Sequence, residues 1–180
     1  MSAKARWFWV TFLVWVIIDQ ITKIWVYLNV EYRVGEIQII PGFFSIVHAQ
    51  NPGAAFSMLR DFEYRHIVFL GFTVIAVGFI VDMYRKLPAS DRYQATALGL
   101  ILSGAVGNAI DRVHKRTVTD FLRFHVENPD WKARLIDWVG TNEYPSFNIA
   151  DSTLLVGVFM FVFYSMFGDG ADAAEEPPEV

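Results

Sequence analysis

The side chains best suited to chemistry in this chain stand at the edges of long apolar runs. Asp19 and Lys23 interrupt "WFWVTFLVWVIIDQITKIWVYL", and Asn51 and Gly53 lie in "QNPGAAFS". Asn108, Asp111 and Arg112 close "SGAVGNAIDR", Asp120 follows in "TVTDFLRF", and Asn148 and Asp151 open "SFNIADSTLLVGVFMFVF". Ionisable groups within or beside membrane-length segments are costly enough that function is the default suspicion. Two carboxylates brought together cannot both ionise cheaply. At about 4 Å and an effective dielectric of about 20, their repulsion is on the order of 4 kcal/mol, which raises one pKa by roughly 3. One acid then stays protonated near neutral pH while the other serves as a base. Such a pair can activate water and polarise a carbonyl.

Taken singly, each residue has an ordinary reading. Asp19 and Lys23 are four apart and could be a plain helical ion pair. Arg112 could snorkel to the membrane surface. Asp151, at the head of an apolar helix, would cap free N–H groups and meet the positive end of the helix dipole. Asn51-Pro52-Gly53 is an acceptable turn, and Asp120 would be a surface-loop acid. Their convergence argues for more. Consecutive spans alternate in direction, so all of these residues reach the same membrane face, and the opposite face carries no comparable set.

Several chemistries drop out on residue type. The chain has no cysteine, which removes thiol catalysis, thiolate metal sites and dithiol redox. The four histidines (48, 66, 114, 125) form no HExxH or other close ligand pair, so neither a metal nor a cofactor is expected. An intramembrane serine protease would want Gly-x-Ser-Gly where the chain has "ILSG". A Gly-x-Gly-Asp protease would need glycine at 166, where Met166 stands. Net charge is −4 without a basic cluster, so nucleic acid is not an expected partner.

The elements that must position these residues are membrane spans. The chain is 54% hydrophobic and only 19% charged. A bilayer core about 30 Å thick needs roughly 20 helical residues, and four segments approach that length: about 7–28, 66–84, 94–113 and 150–167. The N-terminus resembles a signal peptide, but no small-x-small cleavage site follows, so it reads as a retained first span. The expected fold class is an all-α polytopic membrane protein with four transmembrane helices. A small β-rich extramembrane region is expected around "EIQIIPGFFSIVH", and an interfacial helix at "WKARLIDWVG". Residues 1–167 form one membrane-embedded unit, and the acidic tail 168–180 has a disordered composition. In the third span, Ser103 with Gly107 and Ala105 with Ala109 are small-xxx-small pairs that allow close helix approach. Nine basic residues fall on the site's side of the membrane and five on the side of the termini. However, the short, charge-dense connection "RKLPASDR" carries more weight in orientation, which favours cytoplasmic termini.

The segments "DQITK" (19–23), "QNPGAAFS" (50–57), "GNAIDR" (107–112), "VTDF" (118–121) and "FNIAD" (147–151) together resemble the motif set of the lipoprotein signal peptidase (signal peptidase II) family, in order and from the first span to the fourth. The resemblance implies an aspartic endopeptidase of the bacterial inner membrane, with its active site toward the periplasmic or outer face. Its partners would be membrane lipids and a lipid-modified prolipoprotein, cleaved just before the diacylglyceryl-modified cysteine. The implied catalytic pair falls on Asp120 and Asp151. Asn108, Arg112 and Asn148 would support the pair and the substrate backbone, while Asp19, Lys23, Asn51 and Gly53 match the remaining motif positions. Asp111 is a rival carboxylate, and the stretch between the two acids is long for the family. The competing class is a four-helix binding or transport protein whose polar pocket holds a solute without reaction.

Overall fold

The computed structural model describes residues 1–53 and 62–168. The acidic tail beyond Gly168, and Ala54–Ser57 of the Asn-Pro-Gly motif, lie outside the described residues.

The helix α1 (Ala3–Asn29) starts at Ser2, whose hydroxyl accepts from the Ala5 N–H. Its buried residues Phe8, Thr11, Asp19, Lys23 and Val26 recur at helical spacing, so one stripe faces the protein. Trp7, Val10, Val14, Ile17 and Ile21 remain exposed around it. Strands β1 (Glu36–Ile40) and β2 (Phe44–Asn51) follow as a hairpin turned at Pro41-Gly42, where Gly42 takes φ +73°. Helices α2 (Arg65–Lys86) and α3 (Arg92–Lys115) come next, α3 capped by the Asp91 carboxylate on the Gln94 N–H. Strand β3 (Val118–Phe124), helix α4 (Pro129–Val139) and helix α5 (Ile149–Phe167) complete the described chain.

The four segments expected to be spans are helical, as α1, α2, α3 and α5, each somewhat longer than its apolar core. Of these, α1, α2 and α5 are long and apolar enough to cross a membrane. Much of their large hydrophobic surface is exposed, as suits lipid contact. Helix α3 is different. It is rich in small residues, carries eleven buried residues and packs against α1, α2 and α5. A Cβ added at Gly99 would meet the Phe8 carbonyl at 2.8 Å, and one at Gly104 would strike the carbonyl oxygen of Ala150. The backbones therefore touch where α3 crosses α1 and α5. Of the two small-residue pairs, Ser103 and Gly107 are buried, but Ala105 and Ala109 are only half-buried. Gly107 is a true close approach, since a Cβ there would meet Asp19 and Ala150, and Gly99 and Gly104, with Gly157 on α5, add further ones.

The sheet extends the expected hairpin. It has the order β1-β2-β3, antiparallel throughout. The surface loop expected around Asp120 is thus a strand: Asp120 pairs opposite Ala49 and is 3% exposed. Phe121, with Val26 of α1 and Val30 just beyond its end, packs the sheet onto the end of the bundle. A second apolar cluster, Phe8, Ile80, Ala95, Leu98 and Leu102, closes the other end. There Lys4 donates to the carbonyls of Tyr84 and Leu87.

Candidate active site

Where β3 meets α1, α3 and α5, a set of largely buried polar groups packs together, and Lys23 organises them. Its ammonium is 3.0 Å from Asp19 and 3.4 Å from Asp111, and it donates to Asn108 Oδ1 at 3.0 Å. An ammonium can only donate, so Asn108 must turn its oxygen toward Lys23. Its Nδ2 consequently faces Asp151 and donates to Oδ1 at 2.7 Å.

The head of α5 imposes the same logic on Asn148. Its Oδ1 accepts the Asp151 N–H (3.0 Å), while Asp151 Oδ2 accepts the Asn148 N–H (3.2 Å), a reciprocal capping box. The Asn148 Nδ2 is left to donate to Asp120 Oδ1 at 2.8 Å and Asn108 Oδ1 at 3.2 Å. Asn51 Nδ2 reaches the other Asp120 oxygen at 3.0 Å, and Asn51 Oδ1 accepts the Gly53 N–H at 2.8 Å. Gly53 sits at φ +102° against the ring of Phe69, where a Cβ would overlap that ring. The two carboxylates are therefore joined through the Asn148 and Asn108 amides, with every amide orientation dictated by a group that cannot reverse.

Asp19 accepts the Ala150 N–H at 2.9 Å, fixing the first turn of α5 to α1. Asp111 accepts the Thr119 N–H at 2.9 Å, fixing β3 to α3 one residue before Asp120. Lys115 lies 3.5 Å from Asp111. The rival acid is thus committed to the backbone that carries Asp120. Arg112 lies with its guanidinium 4.7 Å from the centre of the Phe69 ring and donates to the Asn108 carbonyl at 3.5 Å. Every residue singled out from the sequence (Asp19, Lys23, Asn51, Gly53, Asn108, Arg112, Asp120, Asn148, Asp151) belongs to this one assembly. Thr119 and Phe69 were not singled out: a backbone N–H and an unremarkable aromatic in an apolar span carry no sequence signal. Among the described residues no group of three or more His, Cys, Asp or Glu could hold a metal ion.

Burial, and then the negative charge of Asp151, push the Asp120 carboxyl up to about 6. The Asn51 and Asn148 donors and the Lys23 charge oppose that rise. Asp151 is half-buried and opens on a cavity of about 680 Å³ lined also by Phe124, Tyr144, Phe147, Ser152, Leu155 and Val156. The arrangement is one enclosed acid, Asp120, whose proton is held more tightly than usual, and one acid, Asp151, facing an apolar groove. Such a pair can hold a single proton and act on a polar bond that enters between apolar walls.

Fold and site together define a membrane-embedded helical protein with a paired-acid centre roofed by a small sheet. The family model described as signal peptidase (SPase) II matches residues 11–167, and the chain belongs to that family. A lipoprotein signal peptidase of Geobacter metallireducens is 42% identical over 159 residues, covering 88% of this chain and 89% of its relative. One of Vibrio cholerae is 36% identical over 175 residues, covering 96% and 91%. A solved structure described as a bacterial membrane enzyme, obtained by the in meso method, superimposes with a TM-score of 0.73 at 26% identity. That match covers 89% of this chain and 92% of the other. This is a bacterial membrane protein.

Proposed function

We propose that this chain is an aspartic endopeptidase that removes signal peptides from lipid-modified prolipoproteins, hydrolysing the bond just before the diacylglyceryl-modified cysteine. Asp120 and Asp151 form the catalytic pair. The ionised member takes a proton from water as the oxygen adds to the scissile carbonyl, and the protonated member hydrogen-bonds that carbonyl. Collapse of the tetrahedral intermediate returns a proton to the leaving amine. The observation that carries this reading is Asn148. Its amide joins Asp120 to the network that holds Asp151, and the four carboxylates Asp19, Asp111, Asp120 and Asp151 outnumber the cations Lys23, Lys115 and Arg112 beside them. One retained proton balances that count.

Asn108, Asn148 and Asn51 orient the carboxylates, Arg112 offsets their charge, and Gly53 lets its turn lie against Phe69. Helix α3 is the fourth crossing. Its 24 residues span about 36 Å, and its small polar surface is covered by α1, α2 and α5. The protein lies in the bacterial inner membrane with both termini cytoplasmic and the site at the outer face.

Purified Asp120→Asn and Asp151→Asn variants, assayed on a lipid-modified preprolipoprotein, test the pair. Each is expected to lose at least about 10²-fold in turnover. Undiminished cleavage by both would overturn the aspartic mechanism, and loss in only one would move the second role to another acid. A wild-type protein that leaves the substrate intact but takes up a solute would favour transport.

A further inference from the structure

Helix α4 buries none of its residues, yet it is a well-terminated helix. Asn128 caps its start on the Trp131 N–H, Pro129 opens it, and Gly140 at φ +80° ends it. It stands on a closed stem. The Val126 N–H donates to the Asn142 carbonyl, the Tyr144 N–H to the Phe124 carbonyl, and Leu122 and Phe147 exchange backbone bonds. The helix is thus held beside the ends of β3 and α5. Its large apolar side chains are nevertheless uncovered: Trp131 is 59% exposed and Trp138 89%.

Two concavities lead from that surface to the groove beside Asp151. Trp131, Arg134, Leu135, Asp137 and Trp138 line one of about 400 Å³, whose surface is mostly apolar. Leu135 and Val139 also line a second, of about 390 Å³, with Phe124 and Tyr144. Phe124 and Tyr144 in turn line the groove that holds Asp151 and Leu155. An uncovered apolar run therefore leads from α4 to α5, whose own exposed face is long and apolar enough for a membrane. Trp and Tyr prefer the membrane–water boundary, and Arg134 lies over the Trp131 ring at 5.5 Å, with its charge free to meet water or headgroups. Helix α4 carries Asp130 and Asp137 against Lys132 and Arg134. Its net charge is zero, so apolar insertion rather than attraction to anionic lipid must hold it.

We propose that α4 is seated in the bilayer that the spans cross, with Trp131, Leu135 and Trp138 at the boundary of headgroups and acyl chains. The run from Trp138 to Leu155 is then one lipid-facing surface that opens on Asp151. The proposal rests on the membrane placement given above but not on the peptidase chemistry.

The absence of native cysteine makes a direct test available. Nitroxide labels on Trp131→Cys, Trp138→Cys and Ala133→Cys variants of the full chain, reconstituted in phosphatidylcholine vesicles, report depth through collision with oxygen or a water-soluble nickel chelate. The oxygen-to-nickel accessibility ratio is expected to be severalfold higher at 131 and 138 than at 133, and unchanged by salt. Equal, water-like ratios at all three positions would overturn the seat. So would labels at 131 and 138 shielded from both reagents, because the flank would then pack on protein. The readout does not involve cleavage, so either failure leaves the peptidase reading to its own assay.

Discussion

Two Asp–Lys pairs in this chain share the same residue types and the same four-residue spacing, and they mean opposite things. Asp82 and Lys86, at the end of α2, meet at 2.6 Å with side chains 56% and 73% exposed. Asp19 and Lys23, in the second half of α1, meet at 3.0 Å with side chains 1% exposed. The shorter pair is the weaker one. Water screens it and both side chains lose entropy to hold the geometry, so such a pair contributes about 0–1 kcal/mol. The buried pair has lost its hydration and depends on every partner: Asn108, Asp111, the Ala150 N–H and the Gln20 amide. Distance alone does not rank ion pairs; what replaces the lost water does.

The largest expected effect is therefore asymmetric. Lys23→Met strands Asp19 and Asp111 and should destabilise by about 3–5 kcal/mol, whereas Lys86→Met should stay within about 0.5 kcal/mol. Thermal unfolding in detergent compares them directly, and similar losses would erase the distinction.

A second contrast concerns pH. The Asp120 carboxyl titrates near 6 in the folded protein, above the ordinary 3.8. Between those values the unfolded chain releases its proton first, so this group's contribution to stability falls as pH rises from about 4 to 6 and stays low above. Full ionisation of the buried acid costs about 3 kcal/mol. Asp120→Asn also turns an NH2 toward a donor amide, a penalty that does not vary with pH. The midpoint difference between Asp120→Asn and wild type should thus shift in the variant's favour between pH 4 and pH 7.5. A pH-independent difference would show that the carboxylate is not held against its charge. In the proposed peptidase, kcat/KM should decline as pH passes about 6 and the pair loses its remaining proton.

Packing gives a third, smaller effect. Gly104→Ala places a methyl on the Ala150 carbonyl, which is backbone and cannot swing aside. About 1–3 kcal/mol and a displaced α5 head are expected. By contrast, Gly71→Ala in α2 meets nothing and should leave the midpoint unchanged or slightly raised. The smallest effect is at Phe69. Phe69→Leu removes the ring face under Arg112, worth about 0.5–1 kcal/mol, and so should lower turnover a few-fold. Phe69→Tyr should retain it, since a ring remains. Equal turnover in the two variants would mean that the ring does not position Arg112.

The members of the polar cluster were legible residue by residue because apolar segments make polar exceptions conspicuous. Asp19 and Lys23 interrupt an apolar run, and Asn108 and Arg112 close one. The strand character of "VTDFLRF" was not legible, because β3 exists only by pairing with β2. Nor was the task of Asp111, since its acceptor role depends on a backbone N–H of β3. The small-residue pattern of α3 was read partly in the wrong register. Spacing alone could not tell the Ala105–Ala109 side of that helix from the Gly99–Gly104 contacts that bring it against α1 and α5.

By itself the sequence determined which segments form helices, the hairpin and the residues able to do acid chemistry. Those follow from local rules: backbone in lipid must satisfy its own hydrogen bonds, and residue type sets what a side chain can donate or accept. Only the tertiary structure decided that Asn148 is shared between a helix cap and Asp120, and that Asp151 opens on the apolar groove while Asp120 is enclosed. Those are properties of helix and strand ends meeting across glycine contacts. No single segment carries the burial that moves a carboxyl's proton affinity.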